Sequence, residues 1–290
     1  MRWTERLRRG EFLVVVEVLP PKGADLQGFE KKLVPVKGLV DAVYLPSLQG
    51  AVMRASPWGV AKPLRDRGYE VIFEVSCAHQ NRLALQAELL GAALLGLENV
   101  VVVEGDDPKL GDHPEAKPVF DVHVKELLGG LAAMKRGKDM AGGDLEAPVY
   151  FCVGAKVDAS LDGPSLEGEW EAMAQMVELG VEFFFTTSVY DLRKMERFMQ
   201  GASKLGVPVL AGVMLLKSAG MARYLQKHVP GVYIPEEVVE RLLYAADRAY
   251  ASVKLASELI RGLKGICQGV EIVTLGWEDK VPMVLEEVSS

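Results

Sequence analysis

The stretch that most constrains this chain is CAHQNRLALQAELLGAALLGLENVVVVEGD at 77–106. Leu83, Leu85, Leu89, Leu90 and Leu94 recur at helical spacing, and Gly96 stands where a helix end favours a residue tolerant of positive φ. Val100, Val101, Val102 and Val103 follow, a β-branched run without polar interruption. Such a run suits a strand buried on both faces of a parallel sheet and suits a helix poorly. It stops at Glu104-Gly105-Asp106-Asp107-Pro108, so the strand delivers a carboxylate cluster to its carboxyl end. In parallel sheets and barrels that is the end where ligands bind.

The same grammar repeats along the chain. Apolar runs at 12–18, 40–45, 70–76, 100–103, 149–153, 182–187, 208–213 and 270–275 read as strands. Helical patterns lie between them, at 26–37, 55–67, 120–134, 165–179, 192–205, 219–227 and 235–263, with a last one at 281–287. Alternating strands and helices with no compositional break predict one α/β domain over 1–290, a single (β/α)8 TIM barrel. An open doubly wound sheet is the competing arrangement, and no GxGxxG stands at any strand-to-helix turn to support it.

The net charge of −7 argues against a nucleic-acid partner. Cys77, Cys152 and Cys267 are too few and too scattered for a disulfide framework, which fits a reducing cytoplasm. The start, MRWTERLRRGEFLVVVEVLPPKG, reads as a basic helix leading into a strand and not as a signal peptide, because Glu11 and Glu17 bracket a short apolar stretch. No run approaches the ~20 apolar residues of a membrane span.

A barrel gathers its site from strand ends. Glu17, Glu74, Ser76, Glu104, Asp106, Thr186 and Thr187 are expected there, with His79 and His113 in loops of the same mouth. Carboxylates facing one mouth raise one another's pKa, so one of them can carry a proton near neutrality and act as a general acid. The alternative is that they are solvated or paired with Lys or Arg at the rim. No HxH, HExxH or paired-cysteine spacing appears, so no metal is expected, and no GxSxG marks a nucleophile.

VEVLPPKG at 16–23, NRLALQAELLGAALLGLENVVVVEGDDP at 81–108, GDHPEAKPVFDVHVKELL at 111–128, PVLAGVMLLKSAGMARYLQKHVPGVYIPEEVVERL at 208–242 and GVEIVTLGWEDKVPMVL at 269–285 resemble the methylenetetrahydrofolate reductases, most closely the Gram-positive and acetogen branch. The resemblance implies a (β/α)8 barrel that reduces 5,10-methylenetetrahydrofolate to 5-methyltetrahydrofolate with hydride from bound flavin, FAD, with FMN or no flavin as alternatives. It implies Glu17 as the general acid and Asp106 beside the folate cation. It places Ser76, His79, Asn81, Glu104, Gly105, Phe120 and Asp121 around the cofactor, and Thr187 and Tyr190 at the substrate.

Partners implied are tetrahydrofolate, NAD(P)H or an electron-donating iron–sulfur subunit, and further copies in an oligomer. Two further readings follow from the same likeness: a flavin-independent, nicotinamide-dependent folate reductase, and a non-redox pterin-binding or methyl-transfer subunit. The chain also departs from the family pattern. Thr186-Thr187 stands where Thr-Gln is common, Cys77-Ala78-His79-Gln80-Asn81 where this branch has C-R-D-R-N, and Met176 where a lysine is common. Glu104 replaces Arg or Thr, and Glu74 replaces a His of some members. Together these changes remove positive charge from, and add negative charge to, the region where a dinucleotide's pyrophosphate would lie.

Overall fold

The computed structural model describes residues 3–290. Helix α1 (Trp3–Arg8) precedes β1 (Leu13–Glu17), α2 (Leu26–Leu33), β2 (Ala42–Leu45), α3 (Pro57–Asp66), β3 (Val71–Ser76) and α4 (Arg82–Leu94). The middle of the chain supplies β4 (Asn99–Val103), α5 (Val124–Lys135), β5 (Cys152–Val157), α6 (Gly163–Glu178), β6 (Phe183–Ser188) and α7 (Leu192–Ala202). Strand β7 (Val209–Met214), helices α8 (Ala219–His228), α9 (Glu236–Leu243) and α10 (Arg248–Leu263), β8 (Gly269–Val273) and α11 (Val281–Ser289) complete it. The strands pair in sequence order and in parallel, and β8 returns to β1 with Glu17 opposite Val273, so the barrel is closed.

The two-residue period of each strand sorts side chains between two cores. Leu13, Val15, Ala42, Tyr44, Ile72, Val101, Cys152, Phe183, Phe185 and Leu210 fill the barrel. Their alternates, among them Val16, Val43, Val100, Val102, Ala155, Phe184, Val270 and Ile272, pack outward under the helices. Bulky rings inside require small neighbours: a Cβ on Gly154 would lie 2.4 Å from the Phe183 ring. At the amino-terminal end α1 acts as a plug, burying Trp3 and Leu7 in the inner cluster, with Trp3 edge-on to Phe183 at 5.7 Å.

Two predicted segments sit differently. The fifth strand, expected at 149–153, is Cys152–Val157, so Lys156 lies within it. The helix expected over 235–263 is two, interrupted after Leu243 and restarted where the Asp247 side chain accepts the Tyr250 amide at 3.0 Å. No described helix is long and apolar enough to cross a membrane.

Candidate active site

Four charged side chains share the floor of the barrel mouth. Glu17, Glu74 and Lys156 come from the alternate strands β1, β3 and β5, and Glu271 from β8. The Lys156 ammonium lies 3.6 Å from Glu17 Oε2, 3.8 Å from Glu74 Oε2 and 3.7 Å from Glu271 Oε1. It also sits 4.7 Å above the Tyr44 ring, a cation–π contact. The Tyr44 hydroxyl donates to Glu74 Oε2, while the Ser47 amide donates to Glu74 Oε1 at 2.9 Å. The carboxylate side chains keep at most 6% exposure and Lys156 keeps 31%, so Lys156 is the most open member of the cluster.

Three carboxylates beside one cation cannot all stay ionised in a buried site. Burial pushes Glu271 up to about 8, and although Lys156 opposes this, the neighbouring Glu17 charge and a hydrogen bond from Glu271 to Glu17 add to it. Burial also raises Glu74, against the pull of Lys156 and Tyr44. Burial alone would lower the Lys156 ammonium, but the Glu271, Glu17 and Glu74 charges outweigh it and raise its pKa. Burial thus favours a proton on a carboxyl group of the floor, and the surrounding carboxylates favour a charged lysine.

A short turn joins this floor to Asp106. Gln49 Nε2 donates to both Glu17 oxygens, at 3.1 and 3.2 Å, and the next residue's amide, Gly50 N, donates to Asp106 Oδ2 at 2.8 Å. Leu48 and Ala51 on either side adopt φ of 50° and 53°, each a conformation costing about 1–3 kcal/mol outside glycine. Strain of that kind persists where surrounding contacts fix it, and here those contacts are the two carboxylates.

The predicted cofactor wall is a chain of internal contacts. His79 Nδ1 meets Ser76 Oγ at 3.2 Å and His79 Nε2 meets the Asp106 carbonyl at 3.1 Å. That geometry fits a neutral imidazole protonated on Nε2, and burial pushes its pKa down. Gly105, at φ 86°, lies so close that a Cβ there would fall 1.9 Å from Ser76 Oγ. Asn81 caps α4 through the Ala84 amide at 3.0 Å, and Asp121 accepts from the Arg82 amide and guanidinium, both at 2.9 Å. Glu104 binds the His123 ring, whose pKa it raises, and accepts from the Val124 amide at 3.4 Å. Phe120 stacks on His123 with centroids 6.4 Å apart.

On the far side, Thr187 Oγ1 donates to Asp158 Oδ1 at 3.3 Å. Thr186 repairs the β6–β7 ladder where its register shifts, accepting the Gly212 amide at 3.1 Å. Tyr190 is buried, and its hydroxyl donates to the Met214 carbonyl at 3.2 Å. The structure thus brings Glu17, Glu74 and Asp106 to one mouth. Sequence reasoning missed Lys156, Glu271, Tyr44 and Gln49. The available signal was a charged residue inside each of two otherwise apolar strands, FCVGAKV and GVEIV. No group of His, Cys, Asp or Glu among the described residues is arranged to hold a metal ion.

Fold and floor together define a parallel (β/α)8 barrel with three buried carboxylates gathered around one lysine toward the carboxyl ends of its strands. The family model described as methylenetetrahydrofolate reductase matches residues 2–289, and the chain belongs to that family. A curated relative, methylenetetrahydrofolate reductase 2 of Schizosaccharomyces pombe, is 22% identical over 234 residues, covering 73% of this chain and 34% of that protein. The chain thus spans about a third of the length of the relative it matches. Among solved structures, EDTA monooxygenase (EmoA) from Chelativorans sp. BNC1 superposes with TM-score 0.56 at 12% identity, covering 96% of this chain and 92% of that one. DmoA from Hyphomicrobium sulfonivorans gives TM-score 0.58 at 8% identity, covering 95% and 86%. At such identities they share the fold.

Proposed function

We propose that residues 1–290 work as one barrel domain that reduces the methylene bridge of 5,10-methylenetetrahydrofolate to the methyl group of 5-methyltetrahydrofolate, or runs the reverse. The observation that carries this reading is the placement of Glu17, buried at the end of β1 and tied through the Gln49–Gly50 turn to Asp106. Glu17 is assigned the proton that goes to the folate nitrogen as the five-membered ring opens. Asp106, exposed at the mouth, supplies negative charge facing the resulting iminium cation. Thr187, half-buried beside Asp158, reaches the pterin through water, and Tyr190 holds the loop that carries it.

The resemblance implies FAD as hydride donor. A dinucleotide's pyrophosphate seeks helix N-termini and free cations. On this wall the α4 N-terminus already carries Asp121, and the α5 N-terminus carries Glu104 and the Glu126 carboxylate, which accepts from His123 N at 2.9 Å. Arg82 and His123 each sit on one of these carboxylates. The residues present do not fit a pyrophosphate there, which favours a second reading. The hydride comes from a donor not anchored on this wall, a reduced nicotinamide or the reduced cofactor of a partner subunit.

The test is an absorbance spectrum of anaerobically purified protein before and after 5-methyltetrahydrofolate. Flavin bands near stoichiometry that bleach on addition favour bound flavin. A colourless protein that turns over with NADH or NADPH favours the second reading. No turnover with any donor, alongside retained folate binding, points to the non-redox role. In whichever assay turns over, Glu17→Gln is expected to cut the rate about 10²-fold or more while folding is retained; near-normal turnover removes Glu17 from the acid role.

A further inference from the structure

We propose that Glu271 is the proton reservoir behind Glu17, and that Lys156 is the positioning residue that carries the charge left behind. The inference rests on the folate reading above and deepens it. Its ground is geometric. Glu17 is shut away from solvent, with both oxygens on Gln49, so a proton it gives up has no direct route back from water. Glu271 lies on the neighbouring strand, buried, hydrogen-bonded to Glu17, and its Oε1 accepts no hydrogen bond.

Lys156 stands nearly equidistant from Glu17, Glu74 and Glu271, so its ammonium can follow negative charge from one to another without leaving the cluster. It is also the most open member of the cluster. The O–H bond of Glu271 breaks as its proton passes to the Glu17 carboxylate, and the O–H bond so formed on Glu17 breaks in turn as that proton goes to the folate nitrogen. Glu271 is left as a carboxylate beside Lys156, and a proton from water later restores it through the mouth. One proton leaves the cluster and one returns, with no change of oxidation state. The groups facing Glu271 are Glu17 of β1, Tyr44 of β2, Glu74 of β3 and Lys156 of β5. Tyr44 stays neutral, because burial and the surrounding carboxylates raise its pKa well above the ordinary value.

Two readouts separate this inference from the folate reading. The first is the infrared carbonyl band of a buried protonated carboxyl, followed against pH in the whole chain without ligand. It is expected to titrate near pH 8 in wild type and to vanish in Glu271→Gln. The second is the pH–rate profile for folate turnover. Activity should fall as pH rises through the same point. Glu271→Gln should lose about 10²-fold in kcat with little change in KM and should no longer show that limb. Lys156→Met, which removes the cation that favours the Glu271 carboxylate, should move the limb to higher pH, and it tests the relay even if Glu271→Gln folds poorly. Absence of the band, or wild-type turnover whose limb is unmoved in both variants, overturns the relay. A band that behaves as expected in a protein that turns over no folate overturns the folate reading, and the relay's role with it.

Discussion

Tyr44 serves two neighbours at once, its ring under the Lys156 ammonium and its hydroxyl on Glu74. Tyr44→Phe keeps the ring and removes the donor, leaving a buried carboxyl short of a partner. The expected cost is about 1–3 kcal/mol in chemical denaturation, and a loss below measurement would show that Glu74 is satisfied by Ser47 and Lys156 alone. Glu271 makes a second residue-scale prediction, on pH. Its folded pKa is raised from 4.5 to about 8, so between those values the folded state holds a proton the unfolded chain has released. Stability from this group is therefore present below about pH 4.5 and lost as pH rises through about 8, at up to about 1.4 kcal/mol per pH unit. Lys156, raised from 10.5, keeps its full contribution across that window. The unfolding free energy of wild type minus that of Glu271→Gln should fall as pH is raised from about 4.5 to about 8, and a constant difference would mean that Glu271 is ionised throughout.

At the scale of elements, the mouth is built by short segments whose own caps and carboxylates occupy the places a ligand would use. Much of this architecture was legible in the chain. The valine run of β4, the helix before it and the order of strands follow from periodicity, because burial on both faces of a strand leaves a continuous apolar trace. Strand β5 was not: the apolar run at 149–153 drew the strand three residues early. The true strand places Cys152, Gly154 and Lys156 at alternate positions, a small residue where Phe183 needs room and a charge where the mouth begins, and propensity penalises both. Glu17 and Asp106 were legible as strand-end carboxylates, but their link through Gln49–Gly50 depends on tertiary contacts that leave no local pattern. The wall carries its own prediction. Glu104→Gln with Asp121→Asn removes two negative charges from the α4 and α5 N-termini and frees His123 and Arg82. Each change is worth up to about 1 kcal/mol toward an anion, so together they should raise affinity for ADP or FAD about tenfold by calorimetry. No gain would place any pyrophosphate elsewhere on the molecule.

Across the whole molecule, the closed barrel separates a stability end from a chemical end. The mouth spends burial on charges, and the opposite end is closed by apolar side chains of α1, with Arg6 bound to Glu11 and Asp41 and Asp41 accepting the Val14 amide at 2.6 Å. Trp3 is the centre of that plug, 2% exposed against Phe183, which in turn fills the space that Gly154 leaves. Removing its side chain empties the lower layer, so Trp3→Ala is expected to cost about 3–5 kcal/mol in unfolding free energy. The indole Nε1 is buried without a hydrogen-bond partner, so Trp3→Phe should cost much less, since it keeps an aromatic edge and removes an unsatisfied donor. Because the packed side chains of the barrel interior lie between plug and mouth, neither substitution should change ligand affinity or the pH–rate profile at temperatures where the variant is folded. A Trp3→Ala variant that kept wild-type stability but lost activity would show instead that the plug sets the geometry of the Glu17–Lys156–Glu271 floor.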